Sequence, residues 1–151
     1  MTEQEQKHEP SDTIKLLREC DAGIKMGIVA LDEVIAHVKS QDFHEKLFGY
    51  KQEYTKLKME IQNLLNKYKD NGKDPDPLAK GMSWMRTNIT LGINESDEKV
   101  ADILTDGCNM GVKVLSKFMN KYTEADEEAI QLANRLLELG NRQVTEIRKF
   151  L

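Results

Sequence analysis

Apolar residues recur three and four positions apart along most of this chain. Leu17, Cys20, Ile24, Gly27, Leu31, Val34 and Val38 form one continuous stripe of small and apolar side chains, the spacing of a single helix face. Asp21, Ile28 and Ile35 widen it on one flank. The pattern predicts a first helix from Ser11 or Asp12 to about Lys39, starting just after Pro10. A second stripe, Leu47, Tyr50, Tyr54, Leu57, Ile61, Leu64 and Tyr68, predicts a second helix. Asp42 with Glu45 three residues on reads as its capping box. Only Ser40, Gln41 and Asp42 separate the two helices, so they should be antiparallel neighbours.

The periodicity then breaks at KDNGKDPDP, residues 69–77, where Gly72, Pro75 and Pro77 lie among charges. Asp76 before Pro77 is a helix start, an N-cap followed by proline in the first turn. A short helix is expected over 77–91, with Leu78, Met82, Met85 and Ile89 on one face and Gly92 as its stop. Asn94 or Ser96 should cap the next helix, to about Tyr122. Thr123, with Asp126 three residues later, should cap the last, to about Phe150.

The last two long helices repeat the first two. Leu16, Cys20, Gly23, Ile24 and Lys25 align with Leu104, Cys108, Gly111, Val112 and Lys113. In the partner helices Tyr50, Ile61 and Leu64 fall opposite Leu136, Ile147 and Phe150. Two copies of one hairpin can bury their stripes against each other. The expected fold is all-α: a four-helix bundle of two homologous antiparallel hairpins, 11–69 and 96–151. The connection 70–95 should be a long crossover carrying the short helix, as in ferritin-like bundles. A single helix over 77–122 would reach ~69 Å and overshoot its ~42 Å partners. Residues 1–10 are expected to be a disordered tail, and 11–151 one domain.

Composition narrows the classes. The 151 residues include 39% apolar and 32% charged residues, with three prolines, which suits a helical bundle better than a sheet. The net charge of −4, with both signs interspersed, argues against a nucleic-acid backbone as the main partner. No stretch approaches the ~20 apolar residues of a membrane span. The polar start MTEQEQKHEP reads as neither signal nor transit peptide. Two cysteines form no disulfide framework. A cytoplasmic location without membrane contact is the expectation.

The helices LLRECDAGIKMG and LTDGCNMGVKVL, the segment GMSWMRTNI and the closing ELGNRQVTEIRKFL together resemble a bacterial family of ferritin-like four-helix-bundle proteins, over roughly residues 12–151. The resemblance implies the ferritin-like fold and brings no agreed activity with it.

That fold raises the question of a carboxylate-bridged di-iron centre, which needs inward glutamates and two Glu-x-x-His pairs. The three histidines, His8, His37 and His44, supply no such pair. Glu33 and His37, four apart near the end of the first helix, are the weak metal candidates, and a solvent-facing histidine is the plainer reading. Cys20, Ile24, Gly27, Leu31, Tyr54, Leu57 and Ile61 occupy the inward positions, where unpaired carboxylates would be costly. No metal or other cofactor is expected, and no catalytic residue.

The remaining residues each carry two readings. Gly23, Gly27, Gly107 and Gly111 could expose bare backbone to a ligand, but close packing of the two equivalent helices suffices to explain them and is expected. Cys20 and Cys108 read as buried thiols acting as small hydrophobes. Asp21 with Lys25, and Asn109 with Lys113, read as ordinary flanking i, i+4 pairs. Gln143 interrupts an inward stripe and needs a hydrogen bond, which Tyr54 or Tyr50 could supply; a small cavity opposite Gly140 is the alternative. Trp84, off the Met82–Met85 face, either pins the crossover helix or marks an interface.

No nucleophile–base pair, phosphate loop or zinc spacing is present. The functional expectation is a non-catalytic structural or protein-interaction bundle that self-associates. Its alternatives are a metal-binding oxidoreductase with a non-standard site, or a small-molecule or haem carrier using a pocket between helices.

Overall fold

The computed structural model describes residues 10–75 and 96–151. Among these the chain forms four long helices and no strands: α1 (Asp12–Ile35), α2 (Gln41–Lys67), α3 (Asp97–Lys121) and α4 (Glu127–Ile147), with a closing 3-10 turn at Arg148–Phe150. The expected helix over 77–91, with Met82, Trp84 and Met85, lies outside the described residues, as does the tail over 1–9.

Serine hydroxyls start three of the helices. Ser11 accepts from the Ile14 N–H, Ser40 from Phe43 and Ser96 from Lys99, each at 3.3 Å. The start of α2 therefore differs from the expected Asp42–Glu45 box. Ser40 sits in an extended conformation one step before the helix, whereas Asp42 is already in its first turn. Asp126, not Thr123, is the N-cap of α4, and its side chain makes no capping bond. It instead accepts from the Tyr68 hydroxyl at 2.8 Å. α1 ends at Ile35 rather than Lys39, because a turn closes from His37 N–H to the Val34 carbonyl.

Polar staples at the two ends set the direction of each helix. The Asp97 carboxylate, in the first turn of α3, accepts from the N–H groups of Lys39 and Ser40 at 2.9 and 2.7 Å. The start of α3 thus sits where α1 turns into α2. At the opposite end Asp126 N–H donates to Thr13 Oγ1 at 2.7 Å and Glu124 N–H to Asp12 at 3.0 Å, so α4 starts beside the start of α1. The helices therefore run up, down, down, up. The connection from α2 to α3 joins opposite ends of the bundle. α1 packs on α2 and α3, and α4 packs on α2, α3 and α1.

The core follows the two stripes. Leu17, Cys20, Ile24, Leu31 and Val34 of α1 are buried, as are Leu47, Tyr50, Tyr54, Leu57, Ile61 and Leu64 of α2. Phe43 stacks on Phe150 at 4.2 Å between centroids and closes one end. Tyr68 ends the α2 stripe exposed, where its hydroxyl meets Asp126. α3 is the exception. It buries Val100, Ala101, Ile103, Leu104 and Leu115, and the stretch between Leu104 and Leu115 is left half-buried or exposed.

The aligned positions of the two hairpins have matched and unmatched environments. Leu16 and Leu104 are both buried, and Gly23 and Gly111 are both exposed. Lys25 pairs with Asp21 at 2.8 Å, however, whereas Lys113 is exposed.

Candidate ligand-binding cleft

α1 and α3 flank an apolar cleft of about 370 Å³, within the ~300–1,000 Å³ range of small-molecule sites. Its walls exist because side chains are missing. Ala22, Gly23, Gly27 and Ala30 of α1 face Gly107, Cys108 and Gly111 of α3. Leu136, Gly140 and Gln143 of α4 lie behind them, together with Tyr54 of α2. Among the described residues, Gly23, Gly27 and Gly111 do not mediate the expected close approach of α1 and α3. A Cβ at Gly23, Gly27 or Gly111 would meet no described atom within 4 Å. Gly107 also lines the cleft. Close packing occurs instead at Gly140, where a Cβ would stand 3.1 Å from Val112 Cγ2 of α3. Met110 and Val114 line the cleft and leave 38% and 43% of their surface exposed, so the apolar lining continues to the outside.

Three polar or charged side chains are buried among the described residues: Thr13, Asp21 and Gln143. Thr13 accepts from Asp126 N–H. Gln143 is 2% exposed, lines the cleft, and its Oε1 has no hydrogen-bond partner. The partners expected for it do not serve: Tyr50 donates its hydroxyl to Glu146, and Tyr54 makes no bond to it. Both tyrosines are pushed above the usual phenol range by burial, helped at Tyr50 by its bond to Glu146. They stay neutral at any physiological pH and cannot act as bases.

Asp21 is fully buried, which a surface i, i+4 pair with Lys25 would not be. It holds the segment after α2 as a strap across α1. Its carboxylate accepts from Lys25 Nζ at 2.8 Å, from Lys73 N–H at 3.1 Å and from Gln62 at 3.4 Å. Arg18 grips Asp70 through Nε at 3.1 Å and Nη2 at 2.5 Å, Lys25 also reaches Asp74 at 2.9 Å, and Lys73 reaches Glu19 at 2.6 Å. Lys73 and Pro75 then form one end of the cleft wall. The Arg18 hydrogen bond, with a smaller contribution from the Gly72 N–H, holds Asp70 below the usual carboxylate range.

A folded-state value below the unfolded one stabilises the protein above the unfolded value, ~3.9, and is lost as pH falls through the folded value. Asp70→Asn should therefore weaken the fold at neutral pH and flatten the part of the acid-unfolding curve below about pH 4. Urea midpoints of both proteins between pH 2 and 7 check this; parallel curves would deny the strap its role.

Cys20 and Cys108 are both free, Cys20 buried and Cys108 half-buried on the cleft. Burial pushes each thiol up to about 12, so neither is a nucleophile at neutral pH. Glu33 and His37 are both exposed near the C-terminal end of α1. No group of three or more His, Cys, Asp or Glu that could hold a metal occurs among the described residues. No described helix is long and apolar enough to cross a membrane.

A second recess, about 450 Å³, lies on the α2–α4 seam. Four of its charges pair with one another: Glu146 accepts from Lys46 at 2.7 Å and from Tyr50, and Arg142 pairs with Glu53. It is a solvated ion-pair seam of the kind common on helix surfaces.

Compared with known protein families, curated proteins and solved structures, the chain gives no match in any of the three. The family resemblance and its bacterial source therefore rest on the quoted segments alone.

Proposed function

We propose that this chain is a non-catalytic helical-bundle protein that carries an apolar small molecule in the cleft between α1 and α3. The observation that carries the reading is the cleft itself. It is an apolar cavity walled by bare helix backbone, with a buried, unpartnered amide oxygen in its lining. Glycine in a helix interior costs up to ~1 kcal/mol, and among the described residues no close contact repays it at Gly23, Gly27 or Gly111. Space for a ligand would repay it. The neutral tyrosines and protonated thiols support a binding role rather than a catalytic one. The up, down, down, up course of the helices supports a ferritin-like bundle with one long crossover. The one buried carboxylate among the described residues, Asp21, is bound to Lys25, and this favours the carrier over a metal-binding oxidoreductase. A cytoplasmic carrier is the corresponding place in the cell.

The test is fluorescence titration with diphenylhexatriene, a hydrocarbon that emits strongly only in apolar surroundings. Saturable binding at one probe per chain is expected. A Gly27→Leu, Gly111→Leu double variant fills the cleft and should weaken binding at least tenfold. Binding that is absent, or unchanged in the filled variant, would sink the reading.

Self-association is the second reading, favoured by the exposed Val29, Met110 and Val114. A dimer in sedimentation that is dispersed by Met110→Lys would support it.

A further inference from the structure

We infer that the ligand of this cleft is an uncharged molecule with an apolar body and a hydroxyl donor, and that the donor bonds to Gln143 Oε1. The inference rests on the carrier reading above.

Gln143 is held at 2% exposure with its Oε1 unpartnered, and it lines the cleft. A carbonyl oxygen buried without a donor is unfavourable, and native folds seldom leave one so. The nearby hydroxyls do not supply the donor, since Tyr50 is committed to Glu146 and Tyr54 does not bond to it. The donor must come from outside the described chain. In the empty cleft water can serve, and a bound ligand must replace that water with an equal bond or lose affinity.

The charge of the donor group follows from what surrounds it. An amide oxygen is an acceptor, so it repels a carboxylate or phosphate. An ammonium group would be a donor, but a buried cation needs a paired anion. Among the described lining residues the one carboxylate is Glu19, which already pairs with Lys73 at 2.6 Å. A neutral hydroxyl meets the acceptor without either penalty. The body of the molecule is set by the Gly, Ala, Leu and Met lining. The cleft runs from Glu19 to Leu31 along α1, a rise of ~18 Å, so an elongated molecule fits it.

Two competitors with the same number of heavy atoms test this. Decanol carries the donor, and methyl nonyl ether carries an oxygen without one. Each is titrated against bound diphenylhexatriene, which has no donor of its own. Decanol should compete roughly tenfold better with the wild-type protein. In Gln143→Met, a change of similar volume, the two competitors should become equal, each measured against diphenylhexatriene bound to that variant. Equal competition in the wild type, which needs no variant to fold, would overturn the inference and leave the carrier reading standing. A preference that survives in Gln143→Met would also overturn it, because the donor would then bond elsewhere. Failure of diphenylhexatriene to bind at all would remove the carrier reading, and the inference with it.

Discussion

Gly72→Ala should destabilise the bundle by about 3 kcal/mol, although Gly72 lies in a surface connection. Two effects add. Gly72 has φ +82°, where a Cβ costs ~1–2 kcal/mol. That Cβ would also lie 2.3 Å from Asp21 Oδ2 and 3.1 Å from its Cγ. Asp21 cannot yield freely, because the same oxygen binds Lys25 Nζ and Lys73 N–H. Moving it leaves a buried carboxylate short of donors, at ~1–3 kcal/mol per lost bond. The strap has a way out by peeling from α1, and the cost of releasing Arg18 from Asp70 and Lys73 from Glu19 caps the loss. Thermal unfolding should show a fall of roughly 6–12 °C, at ~2–4 °C per kcal/mol for a chain of this size. Gly49→Ala is the control. Gly49 lies within α2 with no described atom within 4 Å of its Cβ position, so it should gain slightly. A loss under about 1 kcal/mol for Gly72→Ala would mean that the strap adjusts freely and Asp21 is not fixed by it.

Replacing Gly23, Gly27 and Gly111 together by alanine should have the opposite sign. Each is inside a helix, and each Cβ enters open space among the described residues. Alanine recovers ~0.5–1 kcal/mol of helix stability per site. The three gains have the same sign, so the triple variant should gain about 2 kcal/mol and melt roughly 4–8 °C higher. The same methyl groups intrude on the cleft, so diphenylhexatriene affinity should fall as stability rises. That trade is the mark of glycines kept for space. If the three changes destabilised the protein, α1 and α3 would be in close contact there and no cleft would exist.

The elements were legible because they depend on local periodicity. The stripes from Leu17 to Val34 and from Leu47 to Leu64 are buried apart from half-buried Gly27, because a helix puts residues three and four apart on one face wherever it packs. The caps were legible only in type. Ser40 and Asp126 replace the expected Asp42 and Thr123, since every serine, threonine and aspartate near a helix start can cap it. Glu33 and His37, the weak metal candidates, lie exposed near the end of α1.

The cleft was half legible. A ligand at the glycines and a cavity opposite Gly140 were both open readings, but close packing was the expected one. The spacing of Gly23, Gly27, Gly107 and Gly111 is the same whether two backbones meet there or stand apart. The full burial of Asp21 was not legible at all, because its partners Gln62 and Lys73 belong to α2 and the strap.

Sequence by itself determined the helical class, the long elements and the apolar faces, since these follow from the order of residues within about one or two turns. Only the tertiary structure decided that α1 and α3 part at their small residues, that Gln143 is stranded in the gap and that Asp21 anchors a strap. Those depend on distances between segments far apart in the chain. The unpaired oxygen of Gln143 has no signature in the order of residues, because its state is defined by what fails to reach it.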